Sequence, residues 1–264
     1  MIEPLGGEAR PHTLPTPSVP TAASGYLSGR SRRLWYALQS WLWPRAGRFA
    51  GVTSDRRSAA KGHLLISGTG RAGTTALVQY FTVLGFDTGY TVEQTRRRID
   101  PISNAGLEHS LSDENLPYVS KSPHYTQSLG GLLDRGEIAV KGLIIPVRDL
   151  FEAAESRRAA SRKAEEAGID PRRQAGGLFR AKKNPARQEE RLAVQLYKLV
   201  HAAARHEVPI YLLPFPDFVV DEAVLYRVLA PLLEQHGVSR EEHQQAHSEA
   251  MRPNLVTTYE PLDP

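Results

Sequence analysis

Short apolar runs separated by longer segments with helical periodicity are the main pattern in this chain. Four runs are typical of buried strands, and they cover residues 63–67, 118–120, 139–147 and 208–213; residues 86–88 are a further candidate for a short strand. Helical segments are predicted between them, over residues 74–84, from 150 to at least 161, and over 188–206. Strands that alternate with helices predict a three-layer α/β fold, in which helices flank both faces of a central parallel sheet. Ligands of such folds bind beyond the carboxyl ends of the strands.

The first 60 residues have a different composition. Residues 1–30 are rich in Pro, Gly, Ser and Thr, which predicts a flexible tail because little apolar surface is available to offset the entropy of ordering. Residues 31–45 contain all three tryptophans and predict an amphipathic helix that ends at Pro44. We expect this helix to pack on the folded domain or on a second subunit; the alternative is a peripheral membrane contact through residues 31–43. Residues 60–264 are expected to form one domain.

Composition and charge exclude several classes of protein. The chain has no cysteine, so disulfides, a thiolate nucleophile and a cysteine-ligated zinc site are excluded. No apolar run reaches the length of about 18 residues that a membrane span needs, and the N-terminus lacks the pattern of a secretion signal, so we expect a cytoplasmic protein. The 33 Lys and Arg residues against 29 Asp and Glu leave a formal charge of +4 without a dense basic face. This balance favours small anionic ligands over nucleic acid.

A glycine-rich turn between the first strand and the first helix is the clearest candidate binding element. It consists of Gly68, Thr69, Gly70, Arg71, Ala72, Gly73, Thr74 and Thr75. The two outer glycines of Gly-x-x-x-x-Gly are the frame of a phosphate-binding loop (P-loop), in which backbone amides and a helix N-terminus hold an anion. Nucleotide triphosphatases place Lys after the last of these glycines, whereas Thr74 stands there in this chain. The cation is instead Arg71, inside the loop.

This loop resembles the 5′-phosphosulfate loop of sulfotransferases that use 3′-phosphoadenosine 5′-phosphosulfate (PAPS). In that superfamily a later strand ends in Arg-Asp, and a Ser eight residues beyond the Arg helps to bind the 3′-phosphate. Arg148 and Asp149 follow the apolar run over residues 139–147, and Ser156 stands eight residues after Arg148. The resemblance covers about residues 63–160. It implies a P-loop-like fold, with Arg148 and Ser156 binding the cofactor together with the loop, in a sulfotransferase-like catalytic domain.

The same resemblance suggests catalytic residues. Sulfuryl transfer needs cations at the departing oxygen and a base for the acceptor, and Arg71 is the candidate for the leaving-group cation. Residues 118–125 look like the Glu-Lys-Ser-Pro element of heparan-type enzymes, with Ser120 in place of the Glu, so Lys121 is expected to face the sulfonate. Glu93, twenty-two residues beyond Arg71, is the preferred base. His124 and His109 are its rivals, since histidine suits proton transfer near neutral pH.

Two further segments are candidates for contacts with the ligands. The basic segment over residues 176–187 has the position of an acceptor-binding lid, although a solvated loop explains it equally well. Arg252, near the end of the chain, is a candidate to close over the cofactor.

The expected function is therefore transfer of a sulfuryl group from PAPS to a hydroxyl or amine of a carbohydrate, lipid-linked or small-molecule acceptor, without a required metal. One alternative is a P-loop kinase or nucleotide hydrolase, with Asp149 as a magnesium ligand. Another is a nucleotide-binding scaffold without catalytic activity. No pattern in the sequence decides the acceptor or the oligomeric state.

Overall fold

The computed structural model describes residues 62–170 and 187–259. The predicted tail and the tryptophan-rich helix lie outside these residues, and so does the basic segment over residues 176–187 apart from Arg187. The predictions for those parts of the chain stay predictions.

Four parallel strands form the centre of the described fold. They are β1 (His63–Ile66), β2 (Val119–Lys121), β3 (Val140–Val147) and β4 (Ile210–Pro214), in the order β2-β1-β3-β4. The predicted parallel sheet flanked by helices is confirmed.

The predicted strand over residues 86–88 was wrong. This segment runs beside β2, where the Asp87 carbonyl accepts a hydrogen bond of 2.8 Å from the backbone amide of Val119. β2 is the edge strand of the sheet, and residues 86–88 do not form a further strand beside it. The short segment between Gly85 and Gly89 is therefore partly buried beside β2 without being a strand.

The described helices include the three that the periodicity predicted, with differences of a few residues at their ends, and several that were not predicted. In chain order they are α1 (Thr74–Val83), α2 (Val92–Arg97), α3 (Tyr125–Asp134), α4 (Leu150–Glu166), α5 (Gln188–Arg205), α6 (Asp217–Val220), α7 (Glu222–Gln235) and α8 (Arg240–Ala250), followed by a 3₁₀ turn (Pro253–Leu255). None of the helices within residues 62–170 and 187–259 combines the length and the hydrophobicity needed to cross a bilayer.

The sheet has a hydrophobic core on each face, because successive side chains of a strand point to opposite sides. On one face Leu64 and Ile66 pack in a cluster that includes side chains of α1, α7 and α8. On the other face Leu65 packs in a cluster with side chains of α3 and α5. This alternation along β1 makes the three layers.

The carboxyl ends of the two central strands lie side by side. Ile66 at the end of β1 is in register with Ile144 of β3, and both strands run on towards the same edge. β1 leads into the glycine-rich turn and α1, while β3 ends at Val147, directly before Arg148. Two sequence elements separated by more than 70 residues thereby meet at one edge of the sheet.

Candidate functional site

A cavity of about 130 Å³ lies at this edge of the sheet. Its walls are the glycine-rich turn, the start of α1, the segment between α2 and β2, Ser156 of α4 and the chain around residues 250–257. Four of the lining side chains are cationic, namely Arg71, Lys121, Arg148 and Arg252. Among the described residues that line it, Glu108 is the only carboxylate. The excess of positive charge favours an anionic ligand.

The glycine-rich turn bends sharply before it enters α1. Gly70, Arg71 and Gly73 have φ angles of 70°, 61° and 78°, in the left-handed region that favours glycine. At Gly73 a Cβ atom would lie 2.9 Å from the ring of Phe218 and 3.1 Å from that of Phe215. Gly73 is also the N-cap of α1, and no side chain caps this helix end. The turn thus presents the uncapped end of α1 to the cavity, an arrangement suited to an anion.

Arg71 is held by two oxygen atoms from distant parts of the chain. Its Nε donates a hydrogen bond of 3.0 Å to Ser156 Oγ, and a terminal guanidinium nitrogen donates to the carbonyl of Ser103. Burial lowers the pKa of Arg71 to about 10, with Arg148 nearby acting in the same direction. Arg71 therefore stays protonated near neutral pH. Its guanidinium is positioned before any ligand arrives.

Arg148 joins the end of β3 to the glycine-rich turn. One terminal nitrogen donates a hydrogen bond of 3.1 Å to the carbonyl of Arg71, and Nε lies 3.0 Å from the carboxylate of Glu152. The other terminal nitrogen donates to the Thr257 carbonyl. The guanidinium lies 5.1 Å from the centre of the Phe215 ring, within the range of a cation–π contact. The structure thus brings together the loop, Arg148 and Ser156, as the sequence pattern had suggested.

Lys121 and Glu108 form an ion pair on the cavity wall. Lys121 is 1% exposed, and its Nζ donates hydrogen bonds of 2.7 Å to Glu108 Oε1, 2.6 Å to the Gly106 carbonyl and 3.3 Å to Thr75 Oγ1. Burial lowers the pKa of Lys121, and the carboxylate of Glu108 opposes that shift. The sequence pattern pointed to Lys121 but not to Glu108. No motif marks Glu108, which lies between predicted elements.

The preferred base, Glu93, lies outside the cavity. It stands in the first turn of α2, where its side chain is 68% exposed and pairs with Arg97 at 2.6 Å. Thr95 is the buried residue of this helix. A six-residue helix buries one face, and Glu93 lies on the opposite, exposed face. The cavity instead contains Glu108.

The two histidines proposed as rivals do not line the cavity either. His124 is exposed at the start of α3, and its backbone amide lies 3.2 Å from Ser122 Oγ. His109 is half-buried, with its Nε2 3.1 Å from the Thr88 carbonyl and its ring against that of Tyr90. Arg252, by contrast, does line the cavity, and its guanidinium donates to the carbonyls of Met251 and Glu249 at 2.7 and 2.8 Å.

Comparison with known proteins adds no further assignment: no family model matches the chain, and no curated protein or solved structure matches it.

Proposed function

We propose that this chain is a PAPS-dependent sulfotransferase that moves a sulfuryl group to a hydroxyl or amine of a carbohydrate, lipid-linked or small-molecule acceptor. One observation carries the proposal: the phosphate-binding turn with its internal Arg71 contacts Arg148 and Ser156 at the carboxyl edge of the sheet. These are the elements in which the sequence resembles PAPS-dependent enzymes. A donor with two anionic groups fits a cavity whose walls have four cations and one carboxylate.

In the proposed reaction the acceptor oxygen or nitrogen forms a bond to sulfur while the bond from sulfur to the bridging oxygen of the donor breaks. The electron pair of that bond stays on the phosphate of 3′,5′-adenosine bisphosphate (PAP). Arg71 and Lys121 stabilise the negative charge that develops on the departing oxygen. The carboxylate of Glu108 accepts the proton of the acceptor, since it is the carboxylate that lines the described cavity.

The lysine-free loop and the position of Asp149 argue against the kinase alternative. The Asp149 carboxylate accepts a hydrogen bond of 2.9 Å from the backbone amide of Glu152, and Asp149 thereby caps the N-terminus of α4. It is exposed and does not line the cavity, so it has no position from which to hold magnesium beside the turn.

Donor binding would require one wall of the cavity to move. Ligand pockets usually measure about 300 Å³ or more, whereas this cavity measures about 130 Å³. The chain around Leu255, Val256 and Thr257 forms one wall, and its backbone contacts Arg148. Displacement of this segment would open the side of the cavity on which Arg148 lies.

The first prediction concerns the choice of nucleotide. PAP should raise the melting temperature at concentrations at which AMP has little effect, because only PAP supplies a 3′-phosphate for Arg148 and Ser156. At 100 times its dissociation constant, a ligand that binds only the native state adds about 2.7 kcal/mol to the free energy of unfolding. The preference for PAP should disappear in Arg148→Ala.

The matched control is Arg135→Ala, which removes an exposed arginine that pairs with Glu137. This variant should keep the preference for PAP. Equal stabilisation by AMP and PAP in the unmodified protein would contradict the proposed binding site. Binding of PAP without sulfuryl transfer to any acceptor would support the non-catalytic scaffold instead.

A further inference from the structure

The segment between α2 and β2 supplies the partners of both cations beside the phosphate-binding turn. The Ser103 carbonyl accepts a hydrogen bond from the guanidinium of Arg71. Further along the same segment, the Gly106 carbonyl and the Glu108 carboxylate accept hydrogen bonds from Lys121. The path of this one segment therefore decides where two positive charges of the cavity lie.

Asp100 organises the turn that presents the Ser103 carbonyl. Its Oδ1 accepts hydrogen bonds of 2.7 Å from the backbone amide of Ser103, 2.8 Å from Ser103 Oγ and 3.0 Å from the backbone amide of Ile102. Its backbone amide donates to the Ala105 carbonyl, and its own carbonyl accepts from the amide of Asn104, both at 2.8 Å. Ser103 is fully buried by this arrangement. A single carboxylate oxygen thus fixes the peptide units on both sides of Ile102.

The turn has little freedom to adopt another path. Gly106 has a φ of 147°, and a Cβ at this position would overlap the carbonyl of Arg98. Asn104 and Leu107 also have positive φ angles, of 49° and 65°. Residues other than glycine adopt such angles at a conformational cost and keep them only where surrounding contacts enforce them. The hydrogen bonds to Asp100 are contacts of that kind.

We propose that Asp100 is a positioning residue for Arg71: by fixing the Ser103 carbonyl, it holds the guanidinium beside the phosphate-binding turn. An arginine side chain loses rotamer entropy when it is fixed. Because Ser103 and Ser156 already hold the guanidinium, most of this entropy is lost before an anion binds. The identity of the anion depends on the function proposed above, whereas the action of Asp100 on Arg71 does not.

The electrostatic effect of Asp100 acts in the same direction as its hydrogen bonds. Burial and the neighbouring Arg148 lower the pKa of Arg71, and the negative charge of Asp100 raises it. Asp100 therefore also favours the protonated guanidinium that an anion requires. Geometry and charge can be separated by substitution, because Asn keeps the acceptor oxygen without the charge and Glu keeps the charge with a displaced oxygen.

The second prediction is tested by calorimetric titration with inorganic pyrophosphate, which probes the turn without depending on a nucleotide or on transfer. Asp100→Ala should weaken pyrophosphate binding about tenfold, as expected when one charge-assisted hydrogen bond to the anion is misplaced. Asp113→Ala is the matched control, since Asp113 also accepts a backbone hydrogen bond in this segment, from Ser110 at 2.9 Å, and does not hold the Ser103 carbonyl. This control should bind pyrophosphate as the unmodified protein does.

A double-mutant cycle separates positioning from general loss of structure. In the background of Arg71→Ala, Asp100→Ala should cause no further loss of pyrophosphate affinity, because its effect passes through Arg71. The inference would be overturned if the double variant lost pyrophosphate affinity by the product of the losses in the two single variants. Should Asp100→Ala not fold, the other two variants still decide, since Asp100→Asn should bind pyrophosphate more tightly than Asp100→Glu. The reverse order, or equal affinity in both, would also overturn it.

These outcomes distinguish the inference from the proposed function. A tenfold loss in Asp100→Ala without any preference for PAP over AMP would contradict the sulfotransferase proposal and leave the role of Asp100 intact. A clear preference for PAP with unchanged pyrophosphate affinity in Asp100→Ala would contradict the role of Asp100 alone. Failure of the unmodified protein to bind pyrophosphate would contradict both.

Discussion

Glu108 and Lys121 form an ion pair on the wall of the cavity. Lys121 is buried, so its ammonium requires a negative partner, and Glu108 Oε1 meets it at 2.7 Å. The side chain of Glu108 is 24% exposed and lines the cavity. The same carboxylate can therefore contact both Lys121 and a ligand in the cavity.

The third prediction tests the proposed role of Glu108 as the base that accepts a proton from the acceptor. Glu108→Gln keeps the shape and an oxygen acceptor for Lys121 but cannot take a proton, so turnover should fall by about 10² to 10⁴. Glu93→Gln is the matched control: its exposed side chain pairs with the exposed Arg97 on the same helix, and transfer should continue at the parent rate. The measurement is the rate at which PAP is released from PAPS in the presence of an acceptor that supports transfer by the parent protein. Loss of turnover in Glu93→Gln with normal turnover in Glu108→Gln would reverse the assignment.

The junction between the glycine-rich turn and α1 is the element on which the proposed anion binding depends. Gly73 combines a left-handed backbone with contacts to two aromatic rings, those of Phe215 and Phe218. These rings lie at the start of the chain that follows β4, so the turn packs against an element far away in sequence. A side chain at position 73 would have to displace either the rings or the turn.

The fourth prediction compares two glycines with similar backbones. Gly136 has a φ of 66°, and a Cβ added there would have no atom within 4 Å, so Gly136→Ala should cost only the conformational penalty of about 1 kcal/mol. Gly73→Ala should cost more and should also abolish pyrophosphate binding, because its Cβ meets Phe218 at 2.9 Å. Urea unfolding and calorimetry measure the two effects. Equal losses of stability, with pyrophosphate binding intact in both, would show that the contact with Phe218 is unimportant.

At the scale of the whole molecule, a buried polar network ties α1 to α7 and α8. Tyr80 Oη lies 2.7 Å from His243 Nδ1, and His243 Nε2 lies 3.0 Å from both the carbonyl and the carboxylate of Glu222. Arg240 pairs with the same carboxylate at 2.6 Å and lies over the ring of Tyr226. The helix after the glycine-rich turn is thereby joined to the helix that leads into the C-terminal wall of the cavity.

The fifth prediction concerns acid stability. Burial lowers the pKa of His243 below its ordinary value of 6.5, and Arg240 lowers it further, while Glu222 opposes both. A histidine with a depressed folded pKa takes up its proton more readily in the unfolded chain, so stability present above about pH 6.5 is lost as the pH falls towards the folded pKa. The free energy of unfolding in urea should therefore fall as the pH is lowered from about 8 to about 5.

Replacement of His243 should reduce this dependence. His243→Gln removes the titrating group, so its unfolding free energy should change less between the two pH values. His201→Gln is the control, because His201 is exposed on α5. A variant at position 243 that loses as much stability on acidification as the parent would show that other groups govern the effect.

The sequence by itself determined the layering of the fold and the grouping of the glycine-rich turn with Arg148 and Ser156. The apolar runs at β1 and β3 identify parallel strands because both faces of such strands are buried. Arg148 directly follows β3, and Ser156 lies in the helix that begins two residues later, so the sequence alone places the two close together. Local periodicity is enough for these features, since each depends on residues close together in the chain.

The tertiary structure decided the rest of the site. The segment between α2 and β2 has no periodicity, and the positions of Asp100 and Glu108 depend on hydrogen bonds that form only when this segment meets the turn and β2. The spacing of Glu93 from Arg71 in the sequence suggested that Glu93 is the base. The orientation of α2 instead exposes the Glu93 side chain to solvent. The C-terminal wall contacts Arg148 across more than 100 residues. Contacts of this kind depend on how elements pack together, and no local pattern of residue types encodes them.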